Sequence, residues 1–310
     1  MTPSAFHATT PVPSQERTGI LLVFLSALSW SIGGAIARFV EAPDSWTVVF
    51  WRSLWAAVFL VAFMLWRDGP RGTWRLFAGM GKPGLAVAVL FAICSGSFVV
   101  ALAYTTVANV VLMAAAVPLF AALISWLALG ETIRRSTWIA IAAVLAGVGV
   151  MVSGSFTGTV SPIGDGLALL IAVGFATATV ITRRYSNVRM APATCLGVVM
   201  AGLLAATQAS TLVVSRPDMA WLVVFGAVNL GLGFALFTSG ARLIPAALVA
   251  LLGTFEPILA PIWVWLAHGE VPSARTLVGG GIVMSALIVY LAIEFGRRGA
   301  QLRSAPVAGP

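Results

Sequence analysis

Charge is what this sequence has least of. Aspartate, glutamate, lysine and arginine make up 9% of its 310 residues, ten acidic side chains against eighteen basic ones. Soluble globular domains carry about a quarter of their residues as charges, so a domain folded in water is excluded. Histidine and cysteine each occur only twice. Cys94 and Cys195 fall in apolar runs without paired spacing and without a histidine cluster around them, which leaves neither a disulfide framework nor a metal site. The motifs H-E-x-x-H and G-x-S-x-G and the phosphate-binding P-loop are absent as well, so no catalytic constellation, ATP site or cofactor is expected.

What the chain has in place of charge is hydrocarbon. Sixty per cent of its residues are apolar and its mean hydropathy is +1.01, values that a chain threaded through a lipid bilayer requires. The pattern predicts an all-α membrane protein with ten spans, over residues 18–40, 46–66, 83–103, 107–129, 137–152, 166–183, 193–214, 221–242, 246–267 and 276–295. The first run is too long for the core of a signal peptide and lacks its basic start, so it stays as a span. Residues 1–17 and 297–310 read as disordered tails.

The formal charge of +8 is distributed by loop. Alternate connections hold Arg17; Arg67, Arg71, Arg75 and Lys82; Arg134 and Arg135; Arg183, Arg184 and Arg189; Arg242; and Arg297, Arg298 and Arg303. The other connections hold only Arg38, Arg216 and Arg275. The positive-inside rule then puts both termini in the cytoplasm and accounts for the excess charge without nucleic acid as a partner.

Residues 107–131, `VANVVLMAAAVPLFAALISWLALGE`, align without a gap on residues 246–270, `AALVALLGTFEPILAPIWVWLAHGE`, with ten identical positions. Pro118 matches Pro257, Trp126 matches Trp265, and the endings match at Gly130, Glu131, Gly269 and Glu270. Arg38 closes the first span as Arg183 closes the sixth. The chain is therefore a duplication, divided at residues 18–153 and 160–296. Five spans per half force the second repeat to enter the membrane from the opposite side, which is the inverted architecture many secondary transporters use for alternating access.

The opening `LSWSIGGAIAR` (28–38) and the paired `P-x7-W-x3-GE` helix ends resemble the EamA-type carriers of the drug/metabolite transporter superfamily, over residues 18–295. The first-span pattern followed by Glu41 looks most like their aromatic amino acid exporter branch. That resemblance implies a plasma-membrane exporter of aromatic and other large apolar amino acids, or of amphiphilic toxic compounds, in a bacterial inner membrane. Carriage of another metabolite, such as a nucleotide sugar or a drug, and a simple channel stand as alternatives. Phosphorylated cargo would require several basic residues in midmembrane, and only Arg52 comes close.

Glu256 is the outstanding polar residue, a carboxylate near the middle of the ninth span at a position where the first repeat has Val117. A charge in hydrocarbon must face a cavity, find a partner or hold a proton. The alternative reading is that it satisfies backbone groups freed around Pro257 and Pro261. Pro118, Pro257 and Pro261 interrupt the hydrogen-bond ladders of the fourth and ninth spans, as gates or as fixed kinks. Arg38 and Arg52, with Glu41 nearby, read as buried ion-pair candidates. Asn109 and Asn229 offer amides either to a neighbouring helix or to cargo. Trp30, Phe98, Phe234, Phe255 and Trp263 are candidates for an aromatic cavity wall or for packing, while Trp126 also lies deep and Trp46, Trp66, Trp74, Trp138 and Trp221 read as interfacial anchors. Small residues crowd the fifth and tenth spans, where Gly281 and Ser285 mark a close helix contact that is either internal or between two copies in a homodimer. The expected partners are a small-molecule substrate and the lipid bilayer.

Overall fold

The computed structural model describes residues 13–42, 44–130, 132–153, 161–185, 188–244 and 246–304. Among these, nine helical stretches are long and apolar enough to cross a bilayer, and a tenth crossing is a helix pair bent by 41°. The first span comprises Pro13–Ser31 and Gly33–Phe39, with a break at Ile32. The second is Ser45–Gly79 and the third Gly81–Leu102. The fourth is the bent pair Val107–Ala114 and Val117–Leu129. The fifth, sixth and seventh are Arg135–Val152, Pro162–Arg184 and Ala191–Gln208. The eighth runs from Arg216 to Gly240 and is wound as a π-helix over Val224–Leu232. The ninth is Ala246–Gly253 followed by Phe255–His268, and the tenth is Ala274–Ser304. Every crossing expected from the hydropathy pattern is present, and no strand occurs among the described residues.

The expected ends need correcting at three places. Pro13 starts the first helix, inside the tail expected over residues 1–17. The last helix continues past 297 to Ser304, because `RRGAQLRS` contains good helix formers and no proline. The second span extends past 66 to Gly79, through a bend where Gly69 adopts φ 70° ahead of Pro70. Only glycine takes that conformation without steric cost. Beyond the bend Arg71, Trp74 and Arg75 are exposed, as residues at a lipid headgroup region are.

The packing obeys the duplication. With spans one to five exchanged for spans six to ten, each principal contact maps onto another. First against eighth corresponds to sixth against third, second against eighth to seventh against third, and first against ninth to sixth against fourth. Second against seventh and fifth against tenth map onto themselves. This is the pattern of a two-fold axis lying in the membrane plane. The start of the first helix and the end of the last, with Arg67, Arg71, Arg75, Lys82, Arg183, Arg184, Arg189 and Arg242, lie at one face, the basic face. Arg38, Asp44, Asp218 and Glu270 lie at the opposite, far face.

Local sequence explains the helix ends. Asp44 Oδ1 accepts from Thr47 N at 2.8 Å at the start of the second span, and Thr106 Oγ1 accepts from Asn109 N at 3.2 Å at the start of the fourth. Both are N-caps that satisfy otherwise unpaired amides. The glycines of the two `GE` motifs, Gly130 and Gly269, end their helices at φ 66° and 67°. That left-handed C-cap is a glycine role, and at Gly269 it turns the chain so that Glu270 departs from the helix axis. Glu131 lies outside the described residues; Glu270 does not.

The fifth and tenth spans meet at glycine. A Cβ on Gly147 would stand 2.7 Å from Gly279 O, and one on Gly279 would stand 2.5 Å from Gly147 O. The small residues of these helices therefore form an internal contact. Gly281 and Ser285 are not part of it, because they line an open apolar groove of about 670 Å³ on the outer side of the same helix pair. Both cysteines are buried and free, with Cys94 Sγ 3.7 Å from Ile171 O.

Candidate functional site

The middle of the bundle is organised around three interrupted helices. The first span breaks at Ile32, and the amide of Asn229 on the eighth span bridges the break by donating to Ser29 O at 2.6 Å and Trp30 O at 3.2 Å. Ser29 Oγ returns a bond to Val228 O at 2.9 Å. The π-helical turn carries Asn229 to this point, and Gly33 makes room for it, since a Cβ there would come within 2.8 Å of the amide nitrogen. The fourth and ninth spans break at equivalent positions of the two repeats, after Ala114 and after Gly253. Each break is followed by the matched proline, Pro118 or Pro257, in the first turn of the next segment, where a missing N–H costs nothing. Pro261 lies within the second segment of the ninth span.

An aromatic chain runs beside these breaks. Trp30 meets Phe234 edge-on at 5.0 Å and Phe237 at 5.4 Å; Phe234 meets Phe91 at 5.0 Å, and Phe91 meets Phe175 at 5.7 Å. These rings come from the first, eighth, third and sixth spans. Trp30, Phe98, Phe175, Phe234, Phe237 and Trp263 are half-buried although they lie inside the bundle. Phe98 and Phe175 each pack against two separate apolar cores, so the aromatic zone occupies the seam where the cores meet. Trp263 Nε1 donates to Ser31 Oγ at 3.0 Å, next to the break in the first span.

Glu256 lies two helical turns from Trp263 on one face of the ninth span. At 1.5 Å per residue it is roughly 18 Å along the helix from His268 and roughly 15 Å from Ala246, which places it midway. It is partly buried. It makes no hydrogen bond or ion pair among the described residues.

The other expected site residues are placed differently. Asn109 is buried, and its amide donates to Thr105 Oγ1 at 3.1 Å and to Asp165 Oδ1. Both asparagines thus join helix to helix and do not line a cavity, because an amide in an apolar interior is most stable with its hydrogen bonds made inside the protein. Phe255 is 39% exposed, packs edge-on against Phe24 at 5.3 Å and shares its helix face with exposed Ile258, Ile262 and Trp265, so it faces outward. Trp126 is an exposed partner of Trp138, with ring centres 4.9 Å apart, and not a deep residue.

The ion pairs also differ from expectation. Arg52 is 5% exposed and has no carboxylate partner among the described residues. Its guanidinium reaches Ser95 O at 3.3 Å and Ser95 Oγ at 3.2 Å, and lies 4.5 Å from the Phe225 ring centre and 5.5 Å from that of Phe98. Ring faces and a carbonyl take the place of a counter-ion. Arg38 pairs with Glu270 and not with Glu41, whose backbone N–H donates to Asp218 Oδ1 at 2.8 Å.

That Arg38–Glu270 pair, 2.9 Å long, is the centre of a latch across the far face. Arg38 also donates to Leu102 O at 2.7 Å and Thr105 O at 3.1 Å, at the end of the third span. The second oxygen of Glu270 accepts from Val107 N at 2.8 Å, at the start of the fourth. The first, third and fourth spans are thus joined to the connection that follows the ninth through one arginine–glutamate pair. Charge spacing alone pointed Arg38 at Glu41; the left-handed turn at Gly269 is what brings the more distant Glu270 within reach. Asp165, buried beside Asn109, gave no sequence signal beyond being an acidic residue near a helix start. At the basic face, Arg183 and Arg184 line a cavity of about 520 Å³ together with Ser125, Ala128 and Leu129. Nearby, Asp68 pairs with Arg67 at 3.3 Å and with Arg189 at 3.4 Å. Desolvation, with Arg189 and Arg67 close by, pushes the Arg242 guanidinium below its ordinary value despite the opposing Asp68.

Two inverted five-span repeats and helices broken at matching positions of the two halves define a multi-pass membrane protein built as secondary transporters are. The chain belongs to the EamA-like transporter family, whose model matches it twice, over residues 17–153 and 162–292. It is 28% identical to the pseudopaline exporter CntI of Pseudomonas aeruginosa strain UCBPP-PA14, over 88% of this chain and 95% of that protein. The uncharacterized transporter YwfM of Bacillus subtilis strain 168 is 24% identical over 77% of this chain and 74% of its own length. A solved crystal structure with 20% identity superposes with a TM-score of 0.60, over 91% of this chain and 98% of its own, which attests the fold.

Proposed function

We propose that this transporter exports small amphiphilic metabolites, with aromatic and large apolar amino acids as its first cargo class, by alternating access across a bacterial inner membrane with the basic face cytoplasmic. The observation that carries this reading is the half-buried string of rings at the seam, Trp30, Phe234 and Phe175 with Phe98 and Trp263 beside it, with a single unpaired carboxylate at Glu256. A cavity of apolar walls and few polar groups suits a ring attached to an ammonium. Edge-to-face contacts of a bound ring add about 0.5–1.5 kcal/mol each beyond its burial. The buried guanidinium of Arg52 is already engaged with Ser95, which argues against a phosphate site.

A second reading follows from the relatives. CntI is named for export of pseudopaline, and its similarity extends over nearly its whole length, so pseudopaline is the second cargo to test. Purified protein in liposomes, loaded with tritiated phenylalanine or tryptophan, provides the assay. The proposal expects efflux that unlabelled aromatic amino acids compete for better than glutamate or lysine. Efflux that pseudopaline inhibits and aromatic amino acids do not would replace the first reading by the second.

A further inference from the structure

We infer that Glu256 is an exchange site for a proton, occupied alternately by a proton and by the cationic group of the cargo, so that export is driven by proton entry. The inference rests on the transporter reading above and adds the coupling ion. Its basis is the position of one carboxylate. Glu256 stands in the first turn of the ninth span's second segment, midway along the span, partly buried and without a hydrogen-bond or ion-pair partner among the described residues. The equivalent position of the first repeat is Val117, so the carboxylate is not a requirement of the broken-helix design.

The elements packed against this segment are the first span, Val107–Ala114 and Ala246–Gly253. Their charged groups are Glu16 and Arg17 at the basic end of the first span and Arg38 at the far end, the last held by Glu270. The segment's own His268 is at the far end, where Nε2 is 3.0 Å from Ala35 O. No cation within the protein therefore neutralises Glu256 where it stands. An ionised carboxylate surrounded by hydrocarbon and low-dielectric protein is costly, and two mobile species can remove that cost: a proton or a cargo ammonium. Mutual exclusion at one carboxylate makes them exchange. The balance is simple. A proton from the far side binds the carboxylate as cargo leaves; cargo binding from the basic side displaces that proton into the basic-side solution.

Two measurements test this. Dicyclohexylcarbodiimide reacts with protonated carboxyls in apolar surroundings, and mass spectrometry of the labelled intact protein locates the adduct. The expected result is labelling at Glu256 that weakens as pH rises, is absent from Glu256→Gln and returns in Glu256→Asp. Absent labelling, or labelling that ignores pH, overturns the inference whatever the cargo proves to be. In liposomes holding a pH-sensitive dye, phenylalanine efflux should drive proton entry in the wild type. Phenylalanine efflux without proton movement overturns the coupling and leaves the transport reading intact. Failure of phenylalanine to move at all rejects that cargo, and the labelling result then decides the role of Glu256.

Discussion

One buried amide holds the first span at its break. Asn229 supplies both hydrogens to Ser29 O and Trp30 O, carbonyls that the interruption at Ile32 leaves without regular helical partners. Replacement by leucine leaves those acceptors unpaired, and each buried unsatisfied group costs about 1–3 kcal/mol. Asn229→Leu should therefore lower the thermal transition of the detergent-purified protein by several degrees, whereas Phe255→Leu, on the outward face, should leave it unchanged. Equal shifts for the two would contradict the placement. The residue scale is also where the sequence was least legible. Asn109, Asn229 and Glu256 look alike as single polar residues in apolar runs, and only the geometry of their neighbours separates two amides that donate across the bundle from one carboxylate without a partner among the described residues. Arg38 could not be paired correctly, because its partner is 232 residues away.

The fourth and ninth spans are the elements whose design was most legible. Their prolines, their shared `GE` endings and their length as single apolar runs were all in the sequence. The break positions after Ala114 and Gly253 follow once proline is confined to a first turn. What the hydropathy pattern did not carry was the break at Ile32 and the π-helical turn of the eighth span, since neither is marked by a proline or a charge and the two meet only where Asn229 packs into the first span. The element-scale prediction concerns the far-face latch. Glu270→Gln removes the charge that holds Arg38 and weakens the bond to Val107 N, a charge-assisted contact of about 1.5–3 kcal/mol. In a background without Cys94 and Cys195, a cysteine at Ser31 should react several-fold faster with an impermeant thiol reagent added at the far side once Glu270→Gln is introduced. An unchanged rate in Glu270→Gln would mean that the pair decorates the face and does not hold it.

For the whole molecule, the duplication was visible in ten identities over twenty-five positions, and the odd number of spans per repeat fixed the inversion. The exchange symmetry of the packed spans agrees with it. Absolute orientation is an expectation from the arginine distribution. The connection around Thr157, expected on the external side, lies outside the described residues, and Val213 on an exposed far-face connection serves in its place. A single cysteine at Val213 should be labelled in intact cells by an impermeant reagent, and one at Arg71 only after the cells are opened; the reverse pattern would invert the protein. The central claim is that these two repeats form a carrier with one midmembrane site presented alternately to each side. Counterflow tests it most directly. Liposomes preloaded with unlabelled phenylalanine and diluted into trace tritiated phenylalanine should accumulate the label transiently above equilibrium, several-fold faster than empty ones. Label entry that is the same in preloaded and empty liposomes would contradict a carrier and leave a pore.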